Sequence, residues 1–156
     1  MRSRHFLENR LPPLLVAFIV GAVMAAAARL TPALAVHQPA LRFLAWGLVI
    51  LGASVALAGV VTFRRHRTTV NPFKPGTAST LVESGIYRRT RNPMYVGVTL
   101  ALLGFAAWRG HPLSLVLVAL FPAFIQRFQI APEERALGEI FGPAYAAYKT
   151  RVPRWL

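Results

Sequence analysis

Leu11 to Leu30 is an apolar run of about 20 residues interrupted only by Arg29, and Phe43 to Phe63 is a second. At ~1.5 Å of rise per residue the first run matches the ~30 Å hydrocarbon core of a bilayer, so the pattern predicts spans over residues 11–30 and 43–63. Thr31 to Ala40, with Pro32 and Pro39, reads as the connection. Arg2, Arg4 and Arg10 precede the first run as in a signal peptide, but the run is longer than a signal core and more apolar chain follows, so we read it as a retained span. Gly47, Gly52, Ala53, Ala56 and Gly59 predict close contact between the second span and another helix. From Arg64 to Asn92 the pattern is polar and turn-forming, a loop over residues 64–92. Two shorter apolar runs follow, 94–108 and 112–128, joined by Arg109-Gly110-His111-Pro112. At roughly 22 and 25 Å they form a helical hairpin short for a full crossing. Residues 129–156 read as an amphipathic tail with an interfacial helix. The expectation is an all-α, polytopic membrane protein with about four spans, forming one domain over 1–156.

Composition changes this picture mainly by fixing direction. The chain is 55% hydrophobic with a formal net charge of +13, too apolar for an ordinary soluble domain. Its basic residues collect between the apolar runs, which points to topology and not to nucleic acid. Fifteen of the eighteen Lys and Arg residues fall on one side of a four-span arrangement, with Arg29, Arg42 and Arg109 on the other. The positive-inside rule then places both termini and the 64–92 loop in the cytoplasm. The abundance of Arg, Ala and Pro points to a bacterial inner membrane. Asp and Cys are absent, and the carboxylates are Glu8, Glu83, Glu133, Glu134 and Glu139, all on the cytoplasmic side. Disulfides, thiolate nucleophiles and cysteine metal ligands are excluded, though a thiol acceptor is not, and the four scattered histidines do not read as a metal site.

Candidate chemistry concentrates in two segments. In Glu83 to Gly97, Gly85 permits a turn, and Asn92 is held extended by Pro93. Pro93 can open a helix whose N-terminal N–H groups favour an anion, with Arg91 beside it. Tyr95 and Gly97 then offer an aromatic face and a close backbone approach. Arg64, Arg65 and Arg67 read as a basic anchor for lipid headgroups. In the tail, Leu137, Phe141, Tyr145 and Tyr148 would line one helix face against the membrane surface, interrupted near Gly142-Pro143. Pro132 marks a helix start at which the dipole favours Glu133 and Glu134, and a site role for the pair is equally open.

Leu81 to Tyr87, Arg91-Asn92-Pro93-Met94-Tyr95-Val96-Gly97, and Glu133-Glu134 through Phe141-Gly142, Tyr145, Tyr148 and Val152-Pro153-Arg154 together resemble the isoprenylcysteine carboxyl methyltransferase family. That family in turn resembles phospholipid methyltransferases and, more remotely, membrane sterol reductases. The likeness covers about residues 68–155. It implies a polytopic helical enzyme that binds S-adenosylmethionine at the cytoplasmic face and opens to lipid for its substrate. It also implies that Tyr87, Arg91, Asn92, Pro93, Tyr95 and Gly97 form the cofactor site, closed by Glu133 and Glu134. Two positions depart: Asn92 stands where the family commonly has His, and Gln129 where the prenylcysteine branch tends to have a basic residue, with Arg127 nearby.

The chemistry so implied is in-line methyl transfer, in which the protein aligns donor and acceptor and excludes water. A carboxylate acceptor is already ionised and needs no base, and Arg127 or Arg91 could hold it through paired hydrogen bonds. An amine acceptor would call on Glu133 or Glu134 as base. The catalytic candidates are therefore Arg127, Glu133 and Glu134. The expected partners are membrane lipids and a lipophilic or lipidated acceptor, without nucleic acid or metal. A membrane reductase using NADPH and a non-catalytic membrane subunit are the alternatives.

Overall fold

The computed structural model describes Glu8 and residues 10–36, 38–65 and 80–156, and among these the regular structure is entirely helical. The basic stretch around Arg67 and Lys74 lies outside the described residues. Helix α1 is Pro13–Leu30, and α2 is Pro39–Arg65. Each begins with proline, which suits a first helical turn whose N–H groups have no intrahelical acceptor. For α2 this moves the start four residues ahead of the apolar run. A short 3₁₀ turn, Pro32–Leu34, lies between them.

Helix α3, Pro93–Arg109, ends at Gly110, whose left-handed backbone (φ 56°) lets its N–H reach the carbonyls of Ala106 and Ala107. Beyond His111 the chain is a long helical rod with two defects, each set by a proline. Helix α4, Pro112–Leu117, and α5, Leu120–Ile125, are separated at Val118 and Ala119. Pro122 cannot donate to Val118 O, and Phe121 N takes that carbonyl instead at 3.0 Å. Residues Gln126–Ile130 form a π turn that runs without a break into α6, Ala131–Arg151. Here Pro132 cannot donate to Phe128 O, and Ala131 N reaches back five residues to Gln126 O. Pro132 therefore does not start a helix, and the expectation of a fresh N-terminus there is corrected. The real interruption is Gly142, at φ 48° and ψ −121°, just ahead of Pro143.

Among the described residues, three helical stretches, Pro13–Leu30, Pro39–Arg65 and Pro112–Arg151, are long and apolar enough to cross a membrane. At 17 residues α3 reaches roughly 26 Å, somewhat short of the hydrocarbon core. α2 and α3 form the tightest pair. Gly52 sits against the Gly97 backbone, Gly59 against Pro93 and Met94, and Gly104 against Ala45 and Val49, so small residues let the two backbones approach. α1 turns Val16, Val20, Met24 and Ala28 inward, at helical spacing. The first three join Val118, Phe121 and Ile125 in the core. Outward, Leu14, Phe18, Phe43, Ile50, Leu57 and Val116 are at least 63% exposed, a surface that suits lipid and not water.

The bundle has two distinct ends. At one, the two hairpin turns are tied together by Val36 N donating to Gly110 O at 2.7 Å and by His111 Nε2 at 3.0 Å from both Thr31 Oγ1 and Thr31 O. At the other, the starts of α1 and α3 meet the end of α2, the π turn and α6.

The α2–α3 contact predicts a contrast between two glycines of one helix. A methyl at Gly52 would drive into the Gly97 carbonyl, whereas one at Gly47 meets nothing within 4 Å. Gly52→Ala is expected to destabilise by about 1–3 kcal/mol, and Gly47→Ala to stabilise by up to ~1 kcal/mol. Thermal unfolding in detergent, followed by circular dichroism, checks the opposite signs.

Candidate active site

Gly85 opens the site at the second end of the bundle. Its positive φ of 58° turns the chain beside Thr62 of α2 into the 3₁₀ turn Gly85–Arg88. This turn buries Tyr87, whose ring stacks edge-on against Phe63 with centroids 5.0 Å apart. Its backbone carbonyl accepts a hydrogen bond from Tyr148 Oη at 2.8 Å, while its own hydroxyl is buried without a partner. Tyr145 and Tyr148 are 2% and 3% exposed, packed with Val152 against Leu81, Leu137 and Phe141. The expectation that Tyr145 and Tyr148 face the membrane surface is thus overturned: the tail folds onto the 81–92 segment, and protein covers these rings.

The same folding-back builds a three-membered ionic bridge. Arg154 donates to Glu134 through Nε at 3.0 Å and Nη2 at 2.6 Å, a bidentate pair. Arg91 Nη1 lies 2.9 Å from the same carboxylate. A straight helix would separate residues 134 and 154 by ~30 Å, so the Gly142 break is what allows the contact. Asn92 Nδ2 donates to Arg154 O at 2.8 Å, Arg91 N to Pro153 O at 3.1 Å, and Thr90 Oγ1 to Arg154 O at 3.4 Å. Asn92 thus anchors the C-terminal strand of backbone to the start of α3. Arg151 pairs with Glu83 at 2.7 Å at the rim. Pro93 occupies the first turn of α3 as its sequence position predicts.

Glu133 is placed differently from Glu134. No arginine pairs with it among the described residues; its Oε1 accepts a hydrogen bond from Tyr95 Oη at 2.8 Å, linking α6 to the first turn of α3. It lies past the apolar part of the rod, beyond the polar stretch that begins at Gln126. Burial pushes its carboxyl up to about 7; the Tyr95 hydrogen bond opposes the shift and the Glu134 charge adds to it. Near neutral pH this carboxylate is poised to ionise when a cation arrives. Arg91 offers the complementary feature. Its Nε and Nη1 are buried and make no aligned hydrogen bond, even with Glu134 in contact range. Its charge is met by Glu134, and the buried Nε–H that this ion pair leaves unused favours a further acceptor beside it.

The remaining candidates lie outside this cluster. Gly97 faces α2, and the close approach it permits is to the Gly52 backbone. Arg127, on the π turn, is 55% exposed and lies 3.4 Å from Glu8, whose other oxygen meets Arg135 at 2.5 Å. A carboxylate is thus already seated between these two arginines. Gln129 is fully buried and donates to Leu11 O at 2.7 Å, fixing the start of α1 to the π turn. Arg154 and Tyr148, which stand in the C-terminal motif but take no site role from sequence alone, are site-building residues. The short carboxylate inventory was the available signal, since few bases can be matched to so few acids.

The site spans the two motif segments. Over 63 residues, 40% of this chain and 100% of the relative, the sequence is 43% identical to an uncharacterized protein of Haemophilus influenzae. It is 32% identical over 109 residues to the protein-S-isoprenylcysteine O-methyltransferase of Mus musculus, covering 70% of this chain and 38% of that enzyme. The Schizosaccharomyces pombe protein of the same name is 32% identical over 111 residues, covering 70% of this chain and 46% of that one. The chain therefore spans less than half the length of these two enzymes. No solved structure matches. The sequence pattern of the family described as phospholipid methyltransferase matches residues 40–144, which include α2, α3, the π turn, Arg91, Tyr95 and both glutamates. The chain belongs to the phospholipid methyltransferase family.

Proposed function

We propose that this chain is an integral-membrane, S-adenosylmethionine-dependent methyltransferase acting on a lipid-like or prenylated acceptor through a carboxylate oxygen. The observation that carries the reading is the pairing of opposite charges within one cluster: Arg91, whose Nε is buried without an aligned hydrogen bond, beside Glu133, held among the described residues by Tyr95 and by no arginine. An amino-acid cofactor bearing a carboxylate, an ammonium and a sulfonium fits both. The printed names of the eukaryotic relatives, O-methyltransferases of isoprenylcysteine, support an oxygen acceptor.

In this reading the bound cofactor supplies an electrophilic methyl group, and the chain's own residues do the rest. Arg91 holds the carboxylate, and Glu133, once ionised, faces the positive charge. Tyr95 fixes the Glu133 rotamer and closes the α3 side. Tyr87 presents its free hydroxyl, and Asn92 and Pro93 hold the loop against the C-terminal backbone. Glu134 acts by keeping Arg91 and Arg154 in register. Gly97 contributes by letting α3 lie close to α2. Arg127, 55% exposed outside the cluster and paired with Glu8, is assigned to the acceptor carboxylate, which would have to displace Glu8. Methyl transfer to such an acceptor requires alignment and dryness and no base. We place the enzyme in a bacterial inner membrane, with both termini and this site on the cytoplasmic side. Apolar faces of α1 and α2 open the bundle to lipid and to a lipophilic acceptor.

Four outcomes follow. Arg91→Ala is expected to weaken S-adenosylmethionine binding by about tenfold or more, as lost charge-assisted hydrogen bonds would, and Arg65→Ala to leave it unchanged. Calorimetry in detergent at matched folded fraction decides, and retention of NADPH in its place would favour the reductase. Glu133 is more proton-avid folded than unfolded, about 7 against 4.5. Its stabilising contribution is therefore full below pH ~4.5 and lost as pH rises through ~7. Glu133→Gln removes that dependence, so its Tm relative to wild type should rise from pH 5 to pH 8, while its cofactor affinity falls. Glu134→Gln leaves Arg91 unpaired and should cost about 1–3 kcal/mol of stability at neutral pH. Reporter fusions at Leu156 and near Val36 should report the cytoplasm and the opposite side, respectively.

A further inference from the structure

The end of the bundle opposite the candidate active site carries a second feature. Arg29, Arg42 and Arg109, the three arginines of the outlying side, come from the end of α1, the start of α2 and the end of α3, and they line one cavity of about 590 Å³. Trp108, Gln38 and Ala28 complete the part of its wall used here. Among the described residues no carboxylate lines the cavity, and the sequence contains no Asp and no Glu between residues 9 and 82 or between 84 and 132. Arg109 Nε is buried without a hydrogen-bond partner among the described residues. Leaving a guanidinium N–H buried and unpaired is costly unless an acceptor takes it. Arg42 is held in place, its guanidinium 5.9 Å from the centre of the Trp108 ring, which itself meets Trp46 edge-on at 5.8 Å. The cavity is thus a built cationic recess with an aromatic wall.

We infer that this recess binds the phosphodiester headgroup of an anionic membrane lipid. The triad's chemistry alone would accept any phosphate. The surroundings select a lipid: Leu30 and Phe43, next in sequence to Arg29 and Arg42, are 81% and 79% exposed, and Leu34 and Val36 are half-exposed on the intervening loop. An acyl chain can lie along these residues while its phosphate sits among the arginines. The site also lies where α1, α2 and α3 all end or begin, at headgroup depth if the helices span. Its occupant would bridge α1, α2 and α3 from the side opposite the Glu134 bridge. The inference is independent of the methyltransferase reading.

Native mass spectrometry of the full chain in a neutral detergent tests it, with dihexanoylphosphatidylglycerol, dihexanoylphosphatidylcholine and inorganic phosphate offered at equal concentration. The expected result is a single saturable phosphatidylglycerol adduct. Its apparent Kd should weaken roughly fivefold or more in Arg109→Gln and in Arg42→Gln, and stay unchanged in Arg65→Gln at the far end of α2. Arg42 is exposed, so its substitution keeps the test decisive if Arg109→Gln does not fold. Equal retention of phosphatidylcholine would overturn the headgroup assignment, and inorganic phosphate binding as tightly as the anionic lipid would overturn the lipid. Adducts indifferent to both arginine substitutions would overturn the site itself.

Discussion

Everything at the active end of this bundle depends on one carboxylate, Glu134, held between Arg91 and Arg154. The two arginines belong to segments that would otherwise have no reason to meet: the loop entering α3, and the last residues of the chain. Their repulsion is screened only because a single acid sits between them, and breaking either pair would leave a poorly hydrated charge. The hydrogen bonds to the tail backbone that accompany the bridge, Asn92 Nδ2 to Arg154 O and Arg91 N to Pro153 O, form only once the tail has returned. The bridge therefore precedes, logically, the placement of Tyr95 against Glu133.

A division of labour between adjacent glutamates emerges from this. Glu134 is satisfied by two cations and serves as architecture. Glu133, one residue earlier and therefore ~100° away around the helix, has only a phenol as partner. The bridge fixes α6 so that this carboxylate faces α3. The functional reading rests on this asymmetry more than on any single motif.

Much of this was legible in the chain, for identifiable reasons. The spans over 11–30 and 43–63 were visible because continuous apolar length is a strong signal, and the small residues of α2 announced a close partner, which proved to be α3 through Gly97 and Gly104. Gly85, Pro93 and the Gly142 break were readable because backbone geometry is written locally. Two things were not. Pro132 reads as a helix start, since sequence carries no mark of a π turn able to absorb a missing N–H. The aromatic face of Tyr145 and Tyr148 looks the same whether lipid or protein covers it, and only the return of the tail decides. The Arg154–Glu134 pair was hidden for the same reason: a readable break at Gly142 does not say in which direction the chain resumes.

The π turn at Gln126–Ile130 acts as a phase adjuster. One extra residue in a turn advances the helical register by ~100° for everything that follows. Before it, the rod turns Phe121 and Ile125 toward α1; after it, Glu133 points at α3 and Glu134 at the arginines. The membrane half and the polar half of this one rod thus obey different angular requirements, and the turn reconciles them. Evolutionary drift in the apolar half can therefore be free in composition but not in length. Dropping a single residue between Pro112 and Pro132 would dephase both acids at once, while many substitutions there would go unnoticed by the site.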